Sequence, residues 1–172
     1  MSPLLRTCPV PTIGCLNGHA VGAGASLAMA TDIRIIEKTA KMAFNFVKIG
    51  LSPGMGSSHL LPYLVGHQVA SYLLLTGDLI TAQKALEFGM VLEVVEGEEA
   101  IKKRAFELAV QIAKASHIAS RLCLENLRVQ KLAGITSTLY RESDAQAQSF
   151  ADKELREHVL EMKTKSEKSD KK

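Results

Sequence analysis

The stretch Asn17-Gly18-His19-Ala20-Val21-Gly22-Ala23-Gly24-Ala25-Ser26-Leu27-Ala28, running on to Asp32-Ile33-Arg34-Ile35, decides how this chain folds. Gly22 and Gly24 permit a tight backbone approach, and the small apolar residues from Ala25 to Thr31 read as a compact helix. A helix opening near Gly24 leaves its first N–H groups unpaired, with the positive end of its dipole facing outward. The turn is not a dinucleotide fingerprint, because after Gly22 and Gly24 the third glycine position holds Leu27. Two readings remain: a backbone anion site, or a glycine pair that only allows close helix packing.

Outward from this turn, strand and helix alternate. Val10 to Leu16 reads as a short buried strand whose start is restricted by Pro9 and Pro11. Ile33 to Ile36 and Lys41 to Phe44 read as further strands joined by the polar turn Glu37-Lys38-Thr39-Ala40. Gly54 to Leu64 enters a helix that Pro62 is expected to bend, continuing from Gln68 to Leu75 and ended by Gly77. Thr81 reads as the N-cap of a helix over Ala82 to Phe88, with Gly89 just past its end and a strand over Met90 to Val95. Parallel pairing is expected, as in layered α/β folds.

Past Glu96 the strand pattern stops. Ile101, Ala105, Leu108, Ile112 and Ala115 recur at helical spacing, and helices are expected near Ala119 to Leu132, Thr136 to Phe150 and Asp152 to Met162, the last capped by Asp152. The division is an α/β part over 1–97, a helical part over 98–162 and a basic tail over 163–172.

Composition narrows the function classes. The 172 residues are 47% hydrophobic, enough for one sizeable core, and the net charge of +3 lies largely in the lysine-rich end of the chain. Aromatics are sparse and no basic stripe interleaves with stacking residues, which speaks against nucleic acid. Cys8, Cys15 and Cys123 lack metal-ligand pairing and fit a reducing compartment. No apolar run approaches the roughly 18 residues of a membrane span and no targeting segment is visible, so a soluble intracellular protein, cytoplasmic by default, is expected.

Taken in order, Pro11-Thr12-Ile13, the Asn17 to Ala28 stretch, Asp32-Ile33-Arg34-Ile35, Lys48-Ile49-Gly50-Leu51-Ser52-Pro53-Gly54, Leu75-Thr76-Gly77 and Gly89-Met90-Val91 resemble the enoyl-CoA hydratase/isomerase (crotonase) superfamily. The resemblance implies an α/β crotonase-like spiral of ββα units followed by a helical region that builds a trimer interface. It further implies that the N-terminal portion of the family domain, with half of the oxyanion hole, lies outside this chain. The ligand implied is an acyl-CoA thioester, with coenzyme A entering as part of the substrate and no separate cofactor or metal. A homotrimer or association with a homologous subunit is the implied assembly.

The site residues follow from the same resemblance. Ala23 matches the backbone N–H donor of the oxyanion hole, and Ser26 and Phe46 match the two positions where hydratases carry glutamates. Gly22 in the turn and Lys165 near the chain end, with Met162, match positions that contact coenzyme A. Hydration of an enoyl thioester needs a base for water and an acid for the α-carbon. A serine hydroxyl without an activating partner is no base near neutral pH, and a phenylalanine transfers no proton. An acid carried by ring-opening and isomerising members in the following loop is replaced here by Gly54. His19 and His59 read as hydrogen-bonding residues, Asp32 as structural, and Asp78 and Glu87 as solvated helix-end groups. The expectation is an acyl-CoA-binding protein with isomerase-type or other non-hydratase chemistry, against a non-catalytic subunit that assembles with related chains and, more remotely, an unrelated helical adaptor.

Overall fold

The computed structural model describes residues 8–153 and 155–160. In chain order these form β1 (Ile13–Leu16), β2 (Ala20–Val21), α1 (Ala23–Ala30), β3 (Ile33–Glu37), β4 (Lys41–Ala43), a 3₁₀ turn (Val47–Ile49) and α2 (Ser57–Thr76). They continue with β5 (Ile80–Thr81), α3 (Ala82–Glu87), β6 (Glu93–Val95), α4 (Glu98–Ala113), α5 (His117–Leu132) and α6 (Ile135–Ala151). The chain end from 161 onward, with Met162, Lys165 and the expected basic tail, lies outside the described residues.

The strands divide into two three-stranded sheets. β3, Ile-Arg-Ile-Ile-Glu, is the middle of the first, with β1 and β6 parallel on either side. Its three isoleucines, with Arg34 and Glu37 also buried, fit a strand covered on both faces. The second sheet has β4 in the middle, β2 parallel to it and β5 antiparallel. The two-residue strands β2 and β5 are additions to the sequence reading, and so is the antiparallel pair. β1 also starts later than expected, at Ile13 rather than Val10.

Between sheets and helices lies the main core, which includes Met29, Phe44, Leu60, Leu61, Leu73 and Met90, all fully buried. Ile35 with Ile101 and Leu108 forms a smaller core between the first sheet and α4. Close approach is paid for by missing side chains: a Cβ on Gly14 of β1 would stand 2.8 Å from Thr31 Oγ1.

Three helix boundaries illustrate the local chemistry. Thr81 caps α3 by accepting from the Lys84 N–H, and Gly89 follows its end at φ 72°. α2 is not bent at Pro62 as expected; its non-helical residue is Gly66, at φ 77° and ψ 164°. Only a glycine reaches that backbone region without a Cβ clash, so the break falls there. Asp152 ends α6 with extended backbone, ahead of a short helical stretch over 155–160.

α1 and α2 each lack end groups of their own. α1 has no basic residue in its last turn, and α2 has neither a side-chain cap nor an acid in its first. The C-terminal helices supply the acid for α2 and, together with Arg34 of β3, which donates to Thr31 O at 2.6 Å, the cations for α1. Lys131 of α5, itself buried, donates from Nζ to Ala30 O at 3.0 Å and Thr31 O at 2.7 Å, at the carbonyl end of α1. Glu142 of α6, also buried, accepts from the Gly56 N–H at 2.6 Å and the Ser58 N–H at 3.0 Å, at the amide end of α2. A cation at a C-terminus and an anion at an N-terminus are the charges that the helix dipole favours. Arg128 adds a two-point pair with Asp32, whose carboxylate also takes the Thr12 N–H and hydroxyl. Burial pushes the Asp32 carboxyl up, but these partners outweigh it and hold it below its usual range.

Burial, reinforced by Arg34 and Arg128 and only partly opposed by Asp32, pulls the Lys131 ammonium from 10.5 down to about 8. Between those values the folded chain has released a proton that the unfolded chain keeps, so stability should rise with pH across that window. Lys131→Met removes the dependence. The stability difference between wild type and this variant, from urea midpoints at pH 7 and pH 10, should shift in favour of wild type by about 1–3 kcal/mol. A pH-independent difference would show that Lys131 keeps its charge at no cost.

Candidate active site

The turn that opens α1 is shaped by Gly22. Its φ of 54° and ψ of −113° lie where a side chain is strained, and its N–H donates to Ala43 O at 2.8 Å, tying the turn to the end of β4. That bond directs the next residue outward. Ala23 is exposed, and among the described residues none accepts its N–H. Ala23 is the first residue of an eight-residue helix, so its N–H stands at the positive end of the dipole. Beside the turn runs an open cleft of ≈ 350 Å³, whose walls include Cys15, Asn17, His19, Gly24 and Leu27. His19 accepts the Lys41 N–H on Nδ1 at 3.3 Å, and burial pushes the Cys15 thiol up against the opposing pull of Lys102.

Ser26 and Phe46 are placed differently from Ala23. Ser26 is fully buried and its hydroxyl donates to Gly22 O at 3.1 Å, one helical turn back. Phe46 is buried in the main core. The lining of the cleft beside the turn includes none of Ala23, Ser26 and Phe46. The backbone donor therefore faces outward while these two side chains pack inward. Lys165 lies outside the described residues.

The loop 52–56 and the start of α2 are held by one face of α6. Ser149 Oγ accepts the Ser52 N–H at 3.1 Å, Gln146 Nε2 donates to Ser52 O at 3.2 Å, and Glu142 takes the Gly56 and Ser58 N–H groups. Residues 142, 146 and 149 recur at helical spacing, so a single stripe of α6 reads this loop. Gly54 is where the stripe comes nearest: a Cβ there would lie 2.2 Å from Gln146 Nε2. The space that a side chain at 54 would take is filled by Gln146. Ser57, next to the loop, buries a hydroxyl with no hydrogen-bond partner among the described residues.

The other polar residues singled out in the sequence have partners. His59 Nε2 meets Lys131 O at 3.0 Å, joining α2 to the end of α5. Asp78 pairs with Lys48 at 2.8 Å and Glu87 with Lys84 at 2.9 Å, both on the surface. No group of three or more His, Cys, Asp or Glu side chains suited to a metal occurs among the described residues, and none of their helices is long and apolar enough to cross a membrane. Missed by sequence reasoning were Glu142, Gln146 and Lys131, whose partners lie 70 or more residues away in the chain.

With the turn, the cleft and the clamped loop in place, comparison with known proteins becomes decisive: residues 2–170 match the enoyl-CoA hydratase/isomerase family. The chain belongs to that family. It is 34% identical over 154 residues to the crotonyl-CoA hydratase of Syntrophomonas wolfei, covering 90% of this chain and 59% of the relative. It is 34% identical over 161 residues to the 1,2-epoxyphenylacetyl-CoA isomerase of Escherichia coli, covering 92% and 61%. The crystal structure of an enoyl-CoA hydratase/isomerase from Pseudoalteromonas atlantica superposes with a TM-score of 0.87 at 27% identity, over 94% of this chain and 64% of that one. The α/β crotonase-like fold with a helical C-terminal region is thus shared with these proteins. The chain spans about three fifths of the length of the two curated relatives.

Because Gln146 occupies the space at 54, an acid introduced there should meet α6 rather than a substrate. Gly54→Asp is expected to lower stability by about 1–2 kcal/mol. In Gln146→Ala the same change should cost much less, giving a coupling of about 1 kcal/mol in a double-mutant cycle read by denaturant unfolding. Additive effects would mean that the two positions do not touch in solution.

Proposed function

We propose that this member of the enoyl-CoA hydratase/isomerase family binds an acyl-CoA thioester and stabilises its enolate oxygen through the Ala23 N–H. The observation that carries the reading is this donor, on an exposed residue and without an acceptor among the described residues, at the amide end of α1 behind the positive-φ Gly22. A backbone N–H fixed before the reaction costs no reorganisation when charge develops on the thioester oxygen. Ala23 supplies it as well as glycine would, since the strained angles fall on Gly22. The relatives' names, a hydratase and an isomerase among them, support the thioester class and leave the reaction to the residues present here.

Those residues favour chemistry other than two-carboxylate hydration. Ser26 and Phe46 offer neither a base nor an acid, and both are buried. Losing general acid and base groups costs on the order of 10²–10⁴ each, so crotonyl-CoA hydration should be undetectable or several orders of magnitude below that of an ordinary hydratase. A robust hydration rate from the unmodified chain would overturn this reading. Ligand binding tests the oxyanion assignment directly: in calorimetry a saturated acyl-CoA should bind more tightly than free coenzyme A, and equal affinities would sink it.

A role in assembly is the second reading, and a specific feature favours it. Phe106 on α4, Ile118 and Leu127 on α5 and Tyr140 on α6 are large, apolar or aromatic, and well exposed. Such side chains support association of the helical region with further copies or with a homologous subunit, a homotrimer being the arrangement proposed. Light scattering at micromolar concentration should report an oligomer; a stable monomer would rule this assembly out.

A further inference from the structure

We propose that the groove between residues 9–13 and the corner joining α4 to α5 binds a free medium-chain carboxylate, with its alkyl chain on the apolar lining and its head group on Arg121. The site is independent of the acyl-CoA reading above, since it shares no lining residue with the cleft beside the turn. The groove measures ≈ 270 Å³. Val10, Pro11 and Ile13 line it from the chain that enters β1, and Ile112 and Ala113 from the last turn of α4. Val10 is 50% exposed, so this lining stands in contact with water. Covering it favours a ligand with a hydrocarbon body.

The polar rim selects among such ligands. His117, Ser120 and Arg121 all line the groove, and at positions i, i+3 and i+4 they share one face of α5. Arg121 gives Nη1 to Glu125 at 2.7 Å, which leaves Nε and Nη2 without a partner among the described residues. The Ser120 hydroxyl and the His117 imidazole also form no hydrogen bond with another described residue. His117 is the first residue of α5, so the positive end of the helix dipole lies at the same rim. None of the described residues that line the groove is acidic; Glu125, which competes for the guanidinium, lies outside it. Unused donors and a cation at the rim of an apolar groove complement an alkyl chain that ends in an anion. A neutral amphiphile leaves the charge of Arg121 unmatched, and a cationic one is repelled.

The test is calorimetry on the full chain with octanoate, hexanoate and 1-octanol. Octanoate should bind at least tenfold more tightly than 1-octanol, which has as many carbons and no charge. Hexanoate, shorter by two methylenes, should bind about tenfold more weakly than octanoate. Arg121→Gln should remove the preference for octanoate while leaving octanol affinity unchanged, and Glu125→Gln, which removes the competing carboxylate, should raise octanoate affinity a few-fold. Ala113→Leu, at an exposed position, should fill the groove and weaken both ligands. No octanoate binding, equal affinities for octanoate and octanol, or octanoate binding untouched by Arg121→Gln and Ala113→Leu would overturn the proposal. Loss of self-association in Ala113→Leu would overturn it too, because a second copy would then be the occupant of the groove.

Discussion

Local bonds satisfy the carbonyl end of α1 and the amide end of α2 only in part, and charged side chains from distant segments complete them. A helix end with open carbonyls or amides needs partners, and a partner that also carries the opposing charge gains from the dipole. Here the C-terminal helices place Lys131 on the carbonyls of α1 and Glu142 on the amides of α2. Each is a charged group taken out of water, which is costly unless its hydrogen bonds are made. The same two contacts therefore hold α5 and α6 on the α/β layer and would leave buried charges if that docking failed.

This arrangement ties the candidate site to the far end of the chain. α1 carries the Ala23 donor at one end and receives Lys131 at the other, so the two contacts lie on one eight-residue helix. The loop 52–56 is read by Ser149, Gln146 and Glu142 on one face of α6. His59, which meets Lys131 O, joins the two contacts through α2. The helical region thus fixes the backbone on which the proposed chemistry relies.

Local chemistry made much of this legible in the sequence. The glycine turn, the small-residue helix, the β-branched strand β3 and the Thr81 cap each follow from residues within a few positions of one another. β2 and β5 were not legible because two residues carry no periodicity, and they exist only through pairing with β4. Pro62 was the visible helix breaker, yet the break falls at Gly66, since proline tolerates helical φ and glycine alone reaches φ 77°. Lys131, Glu142 and Gln146 looked like ordinary polar residues on amphipathic helices. Their roles arise from contacts between distant segments that a single sequence does not display.

Ser26 and Phe46, the positions we match to the hydratase glutamates, are committed to the fold. Ser26 lies at full burial with its hydroxyl bonded to the helix backbone, and Phe46 fills part of the core that Phe44 and Met42 also build. A carboxylate at either place would have to displace that packing or be buried without a partner, and a buried, unpaired carboxylate stays protonated rather than acting as a base. Restoring the acids one at a time would therefore cost stability before it returned proton transfer. The proposed oxyanion role needs no titrating group, only the Ala23 N–H at the start of α1. The role proposed for Ala23 does not depend on those two side chains, because a backbone N–H is set by the turn at Gly22 and by the packing of α1 rather than by the identity of a side chain.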